Sequence, residues 1–245
     1  MQIKDYQIVI LGILISLGCI FSTYILSKSV VEFQRLQNQT IKVTGSASQQ
    51  VTSDRAAWTI HFRTKAPTLK EGYANLTSDA NKLKKYFVKN GISEDSIETS
   101  AINSYEIYRR YPNGKTSQEI EAYNVYQSIT VKSNDINKLT ELSKNANEIV
   151  NQDINVTSQN VQYYVSNLDN IKIEVAQKAS KNAKERAESL VAGTNGKIGV
   201  MTNARLGVFQ IVPIDSTEVE NYGINDTSSI EKKVVATVSA TFTVK

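Results

Sequence analysis

The most apolar stretch of the chain, from Ile8 to Leu26, contains no charged residue and lies close to the N-terminus. As an α-helix with a rise of about 1.5 Å per residue, it would be about 28 Å long, close to the thickness of the hydrocarbon core of a bilayer. The pattern predicts one membrane-spanning helix within residues 1–27, then a linker over residues 28–39 and a folded domain over residues 40–245.

The N-terminal segment has three interpretations. A retained anchor is favoured because the apolar run exceeds the roughly 7–15 residues of a signal peptide and no Ala-x-Ala cleavage site follows it. A cleaved signal stays open because Lys4 supplies a basic start, and lipidation stays open because Cys19 follows Ser16-Leu17-Gly18. Lys28 and Arg35 after the run oppose the usual charge bias, but the short, signal-like tail favours N-in, C-out. We expect a single-pass protein of the cytoplasmic (inner) membrane, with most of the chain periplasmic.

Four small residues of the apolar run share one face of the predicted helix. Gly12, Ser16, Cys19 and Thr23 recur at spacings of four, three and four residues. Small side chains let two helices approach closely in lipid. The stripe predicts helix packing between copies of the chain, while the alternative is that small residues are simply common in such helices.

Beyond the linker, apolar and polar residues alternate with the period of β-strands and then with that of a helix. Strands are predicted at Thr40–Ser48, where Gly45 indicates a bulge or close packing, and at Asp54–Thr64, where Trp58, Ile60 and Phe62 share one face. The next elements are a helix from Leu69 to Phe87 closed by Asn90-Gly91, strands Ile97–Tyr111 and Ile120–Lys132 around a turn at Pro112-Asn113-Gly114, a helix Ile136–Ile149 and a strand Ile154–Val165.

From the strand at Asp54 onward, this order is β-α-β-β-α-β, which predicts a ferredoxin-like core with two helices on one face of an antiparallel sheet. A third, Ala-rich helix is predicted at Leu168–Ala192, and two strand regions, Lys197–Ile214 and Lys233–Val244, flank a polar loop. The predicted apolar face of that helix comprises Ile173, Ala176, Ala179 or Ser180, Ala183, Ala187 and Leu190. The predicted fold class is α+β.

Composition and side-chain chemistry narrow the function. A net charge of +4 is too small to indicate a nucleic-acid partner, and the only cysteine lies in the apolar run, so the domain has no disulfide. The single histidine, His61, has no neighbouring residues at metal-ligand or dyad spacing. The glycines from Gly193 to Gly199 are interpreted as a helix end and a strand entry, since no helix pattern follows them. We therefore expect no catalytic residue, no metal and no cofactor, and we expect that the chain is not an enzyme.

The residues with the strongest potential for surface contacts lie on the predicted hairpin before Pro112. Tyrosines alternate with arginines there, a pattern that suits contact with another subunit or a ligand, whereas the alternative is a solvated hairpin with tyrosines paired across strands. The candidate contact residues are Tyr105, Tyr108, Arg109, Arg110 and Tyr111.

Several segments together resemble the SIMPL-domain family of bacteria, which includes periplasmic immunogens and proteins linked to oxidative-stress defence. The matching segments are IKVTGSAS at Ile41–Ser48, VTSDRA at Val51–Ala56, AYNVYQSITV at Ala122–Val131, and the alanine pattern at Ala176–Ala187 that leads to Val200. The resemblance implies antiparallel strands with packed helices and an extracytoplasmic protein, often oligomeric, with some relatives forming ring-like, channel-like assemblies. It implies no catalytic residues.

The expected function is a membrane-anchored cell-envelope protein that self-assembles into a symmetric ring- or channel-like homo-oligomer, acting as a scaffold or pore with a stress-related role. The alternative is a monomeric module that binds a cell-envelope ligand through the Tyr/Arg-rich hairpin. The expected partners are the membrane and further copies of the chain, with no nucleic acid; the small-molecule ligand, if any, is unknown.

Overall fold

A computed structural model describes residues 3–112, 114–151 and 153–245. The helices are α1 (Ile3–Asn38), α2 (Leu69–Lys89), α3 (Ile136–Lys144), α4 (Asn147–Val150) and α5 (Leu168–Ala192), with a 3-10 turn at Glu94–Ser96. The strands are β1 (Thr40–Thr52), β2 (Arg55–Ala66), β3 (Ile97–Thr99), β4 (Asn103–Arg110), β5 (Thr116–Ser133), β6 (Val156–Ser158), β7 (Gln162–Tyr164), β8 (Ile198–Leu206), β9 (Gln210–Pro213) and β10 (Glu231–Val244).

These elements divide into two compact units. Unit A contains the chain up to Ser48 together with Lys172–Phe209 and Val235–Lys245. Unit B contains Gln49–Ile171 and Gln210–Val234. Both units include residues of the segment 40–245. That this segment is one domain stays a prediction.

Unit B contains the ferredoxin-like core. Its sheet has the order β3-β5-β2-β6, with β4 also beside β5 and β7 also beside β2, and the neighbours are antiparallel. The first and third strand regions of the β-α-β-β-α-β order, β2 and β5, are central, and the second and fourth regions are at the edges. This is the split arrangement of ferredoxin-like folds, so the predicted fold class is confirmed.

The core of unit B lies on the face of the sheet that α2 and α3 cover. Trp58, Ile60 and Phe62 of β2 are fully buried, as their alternation predicts. The ring of Trp58 meets that of Phe87 from α2 edge to face, with 5.7 Å between the ring centroids. The face of β2 opposite its polar face therefore contributes some of the largest buried side chains of this core.

The ends of α2 follow from local sequence. Thr68 caps the N-terminus by accepting a hydrogen bond from the backbone N–H of Glu71 at 3.3 Å. At the other end the backbone of Gly91 has φ +77°, a conformation that glycine adopts without a steric penalty. The predicted stop at Asn90-Gly91 is confirmed.

Several predicted elements are divided in the structure. The predicted strand Ile97–Tyr111 consists of β3 and β4, and the predicted helix Ile136–Ile149 consists of α3 and α4. The predicted strand Ile154–Val165 comprises β6 and β7, because the polar sequence at residues 158–160 interrupts the alternation of apolar residues. Likewise β8 and β9 replace one predicted strand region. The turn at Pro112-Asn113-Gly114 includes Asn113, which lies outside the described residues.

Tyr86 on α2 gives unit B a measurable dependence on alkaline pH. Burial and the neighbouring Glu148, whose Oε2 accepts a hydrogen bond from the Tyr86 hydroxyl at 3.2 Å, raise the pKa of Tyr86 to about 12. A raised tyrosine pKa stabilises the fold fully below pH 10, and this contribution is lost as the pH rises from 10 towards 12.

We therefore expect Tyr86→Phe to lower the free energy of unfolding more at pH 9 than at pH 11, by a difference on the order of 1 kcal/mol. Urea unfolding of both proteins at each pH measures it, and Tyr73→Phe on the same helix serves as the control. An identical Tyr86→Phe effect at both pH values contradicts the assignment.

Unit A packs α5 on a sheet in which β10 lies between β1 and β8. The buried residues of α5 recur every four positions: Val175, Ala179, Ala183, Ala187 and Val191. The predicted apolar face is therefore partly wrong, because Ile173 and Leu190 are exposed and Ala176 is only half-buried. Ile173 and Leu190 were placed on that face because they are hydrophobic, but the small alanines are the residues through which α5 contacts the sheet.

Gly45 on β1 lies directly against the backbone of α5, as its position in the strand predicts. A Cβ atom at Gly45 would stand 2.2 Å from the backbone nitrogen of Ala183 and 2.4 Å from the carbonyl oxygen of Ala179. No side chain fits at these distances. Glycine is therefore required for the helix to reach the sheet.

The N-terminal helix α1 continues through the predicted linker 28–39 as far as Asn38. Its segment Gly12–Val31 is long and apolar enough to cross a membrane, and the side chains of that segment are exposed. Both a membrane anchor and a signal sequence have these properties. The helix therefore fits either role.

Candidate functional site

The small residues of α1 lie on its exposed surface. The hydroxyl of Ser16 donates to the carbonyl of Ile13 at 2.9 Å, and that of Thr23 donates to the carbonyl of Cys19 at 2.8 Å. Cys19 is a free thiol, and nothing in the structure lies within 4 Å of a Cβ placed on Gly12. Both hydroxyls are satisfied within the helix, so close packing through the stripe stays a prediction that depends on shape alone.

The structure places the candidate contact residues of the hairpin on β4 and just beyond its end. All five side chains are exposed, and Tyr105, Tyr108 and Tyr111 are the large aromatic ones among them. Tyr105 lies opposite Asn124 of β5, whereas Arg110 lies opposite Thr116 near the tip. Irregular register on either side of Tyr108 separates these two regions of the hairpin.

Near the tip, the polar groups of the hairpin bond to one another. Arg109 forms an ion pair with Glu119 across the strands, with 2.8 Å between Nη1 and Oε2. The Tyr108 hydroxyl donates to the carboxylate of Glu106, which raises the pKa of Tyr108. These pairs describe a solvated, internally bonded hairpin, so the contact role of Tyr108, Arg109, Arg110 and Tyr111 stays a prediction.

Tyr105 instead belongs to a groove on the face of the unit B sheet that α2 and α3 leave uncovered. The groove has a volume of about 340 Å³. We call it the sheet groove; its lining residues are His61, Phe62, Arg63, Tyr105, Asn124, Tyr126 and Thr157. It contains the single histidine, so His61 lies at the surface rather than in the core.

The register of the strands brings these residues together. Arg63 of β2 lies opposite Tyr126 of β5, and the Tyr126 ring is 6.2 Å from that of Tyr105, inclined at 57°. The amide of Asn124 donates to the Tyr105 hydroxyl, and the amide of Gln159 contacts His61 Nε2 at 2.9 Å. Hydrogen bonds therefore hold two of the groove's side chains in place.

Arg63 is the charged member of the groove, and it has no carboxylate partner among the residues that the structure describes. Two lysines on the same sheet do have one. Lys65 forms an ion pair with Glu121 at 2.9 Å, and Lys132 forms one with Glu98 at 2.6 Å. The sheet groove is therefore a place of uncompensated positive charge. The alternation of side chains along β2 puts Arg63 on the same face as His61, and the pairing of β2 with β5 puts Tyr126 beside Arg63.

A second feature that sequence reasoning missed is a buried lysine at the start of β10. Lys232 is 2% exposed, and its ammonium group donates to the carbonyl of Tyr163 at 2.7 Å and to that of Asp226. Burial lowers the pKa of Lys232, and the nearby Asp226 carboxylate partly offsets this. The lysine therefore ties the loop before β10 to strand β7.

Asp226 in turn organises that loop. Its carboxylate accepts hydrogen bonds from the backbone and hydroxyl of Ser228 and from the backbone of Ser229. Burial raises the pKa of Asp226, whereas these hydrogen bonds and the charge of Lys232 lower it. Their combined effect is the larger one, so the pKa of Asp226 lies below its usual value. The cluster holds this loop in place, and neither Lys232 nor Asp226 lines the sheet groove.

Among the described residues, no three His, Cys, Asp or Glu side chains lie together as a metal site requires. No curated protein matches the chain. The sequence model of the SIMPL family, a protein of unknown function (DUF541), matches residues 41–243. That interval includes β1, the whole ferredoxin-like core and the Ala-rich α5. The chain therefore belongs to the SIMPL family.

Proposed function

We propose that the chain is anchored in the cytoplasmic membrane by α1 and self-assembles outside the cytoplasm into a symmetric, ring- or channel-like homo-oligomer. Its role is that of a scaffold or pore in the cell envelope, with a connection to stress that follows from the family resemblance. The observation that carries the proposal is the open outer edge of strand β8 in unit A.

Strand β8 pairs with β10 on one side only. Its residues from Val200 to Leu206 are all exposed, and the described residues give its outer backbone groups no partner. Three of the exposed side chains are apolar and large: Val200, Met201 and Leu206. An exposed edge strand of this length is a ready surface for pairing with another chain.

The opposite edge of the same sheet, strand β1, is partly covered. The carbonyl of Thr44 on β1 accepts a hydrogen bond from Arg186 at 3.0 Å, and the backbone N–H of Ser46 donates to Asn182 at 3.2 Å. Both partners are side chains of α5. Natural sheets commonly cover an edge in this way. The difference between the covered edge at β1 and the uncovered edge at β8 supports β8 as an interface.

Symmetry limits how β8 can be used. If the β8 edges of two copies pair with each other, the contact is two-fold and closes as a dimer. A ring of more copies requires the β8 edge of each copy to meet a different surface of the next one. In either case the symmetry axis has to run along the membrane normal for all the anchors to lie in one membrane.

A lysine placed on the β8 edge is expected to weaken the assembly. Lysines on edge strands oppose pairing between sheets, so Val200→Lys should shift the full-length protein in detergent towards the monomer, by at least tenfold in dissociation constant. Light scattering after size exclusion, over a dilution series, measures the shift.

The matched control is Val219→Lys, because Val219 is 76% exposed and Val200 is 71% exposed, and Val219 lies in the loop of unit B. The control should leave the particle size unchanged. An oligomer that both variants weaken equally, or that neither weakens, would remove β8 from the proposal.

A further inference from the structure

The sheet groove has one positively charged group that is free to bind an anion. Arg63 is exposed, and no carboxylate lines the groove around it. The planar guanidinium of arginine binds a carboxylate through two parallel hydrogen bonds, and this geometry suits it better than a lysine ammonium. The charge of the groove therefore complements a planar monoanion.

The remaining walls suit a flat ring. The rings of Tyr105 and Tyr126 are inclined to each other, and aromatic rings favour tilted and edge-to-face contacts with a further ring. The hydrogen bond from Asn124 fixes the position of Tyr105 before any ligand arrives. Thr157 and His61 add polar groups at the border, opposite each other across β2 and β6.

The size of the groove restricts the ligand to a small molecule. Its volume of about 340 Å³ is at the lower end of the roughly 300–1,000 Å³ that ligand sites occupy. One ring with a carboxylate fits this space, whereas a polymer would need a longer channel. The open position on the sheet face leaves a direct path from solvent.

We propose that the sheet groove is a binding site for a small aromatic carboxylate, with Arg63 holding the carboxylate and Tyr105 and Tyr126 contacting the ring. The site lies in unit B and involves no residue of β8, so it is independent of self-assembly. It shares Tyr105 with the ligand site predicted on the Tyr/Arg-rich hairpin, but Tyr108, Arg109, Arg110 and Tyr111 are not part of the groove.

The single histidine of the chain provides a direct probe of this site. Full-length protein without a histidine tag, labelled with ¹³C in the histidine ring and held in detergent, gives one ring signal, that of His61. Titration with 4-hydroxybenzoate at fixed pH should shift this signal to saturation in the millimolar range, as expected for so small a ligand. The neutral analogue 4-hydroxybenzamide should bind at least tenfold more weakly.

Arg63→Gln should weaken 4-hydroxybenzoate binding at least tenfold, because it removes a charge-assisted hydrogen bond, and should largely abolish the preference over the amide. Arg55→Gln is the matched control, since Arg55 is exposed on the same face of β2 but outside the groove. Tyr126→Leu should weaken both ligands. No saturable shift of the His61 signal, equal binding of acid and amide, or an equal effect of Arg63→Gln and Arg55→Gln would overturn the proposal.

Discussion

Replacement of Gly45 by alanine is expected to lower the free energy of unfolding of unit A by about 3 kcal/mol or more. Overpacking of a core usually costs about 1–3 kcal/mol, when side chains can move aside. Here the added Cβ would meet backbone atoms, 2.2 Å from the nitrogen of Ala183 and 2.4 Å from the oxygen of Ala179. Helix α5 must therefore shift away from the sheet, which opens the contact along its row of alanines.

Gly193→Ala is the matched control for this prediction. A Cβ at Gly193 would have its nearest neighbour, the carbonyl oxygen of Leu190, at 3.6 Å, an ordinary contact distance. Urea unfolding of the full-length protein in detergent should show a clearly lower midpoint for Gly45→Ala and little change for Gly193→Ala. Equal midpoints for the two variants would show that α5 does not press on Gly45.

Replacement of Lys232 by methionine is expected to destabilise unit B by about 2–4 kcal/mol. Methionine keeps most of the buried stem but removes the ammonium group, which leaves the carbonyls of Tyr163 and Asp226 buried without their donor. Each hydrogen bond to a charged group contributes about 1.5–3 kcal/mol, and unpaired buried groups add a desolvation cost. Methionine also avoids the cost of burying a charge, which offsets part of this destabilisation.

Lys233→Met provides the comparison on the next residue of β10, where the side chain points to the other face and is only half-buried. The same urea unfolding experiment should show a change within about 0.5 kcal/mol for this variant. A Lys232→Met protein as stable as the parent, or more stable, would mean that the buried lysine does not hold the loop.

The ferredoxin-like core could be predicted from the sequence because its signals are local and agree with one another. The alternation of Trp58, Ile60 and Phe62 identified the buried face of β2, and Asn90-Gly91 identified the end of α2. The same reasoning failed on α5, where Ile173 and Leu190 were placed on the buried face. Large apolar residues suggested burial there, but the alanines decide it, because only they allow the helix to lie on Gly45.

The sheet groove could not be predicted, because it depends on strand register. Arg63 and Tyr126 are far apart in the chain and become neighbours only when β2 and β5 pair. The buried lysine was missed for a different reason. Lysine is seldom fully buried, and one of the two carbonyls that hold Lys232, that of Tyr163, belongs to a distant segment of the chain.

Self-assembly beside the membrane is tested by the native mass of the full-length protein released from detergent. We expect a mass of two or more times the 27.2 kDa of the chain, with the N-terminal helix retained. Two copies fit a closed contact between two β8 edges, whereas a ring requires a larger number. A particle of 27.2 kDa at every concentration would rule out self-assembly.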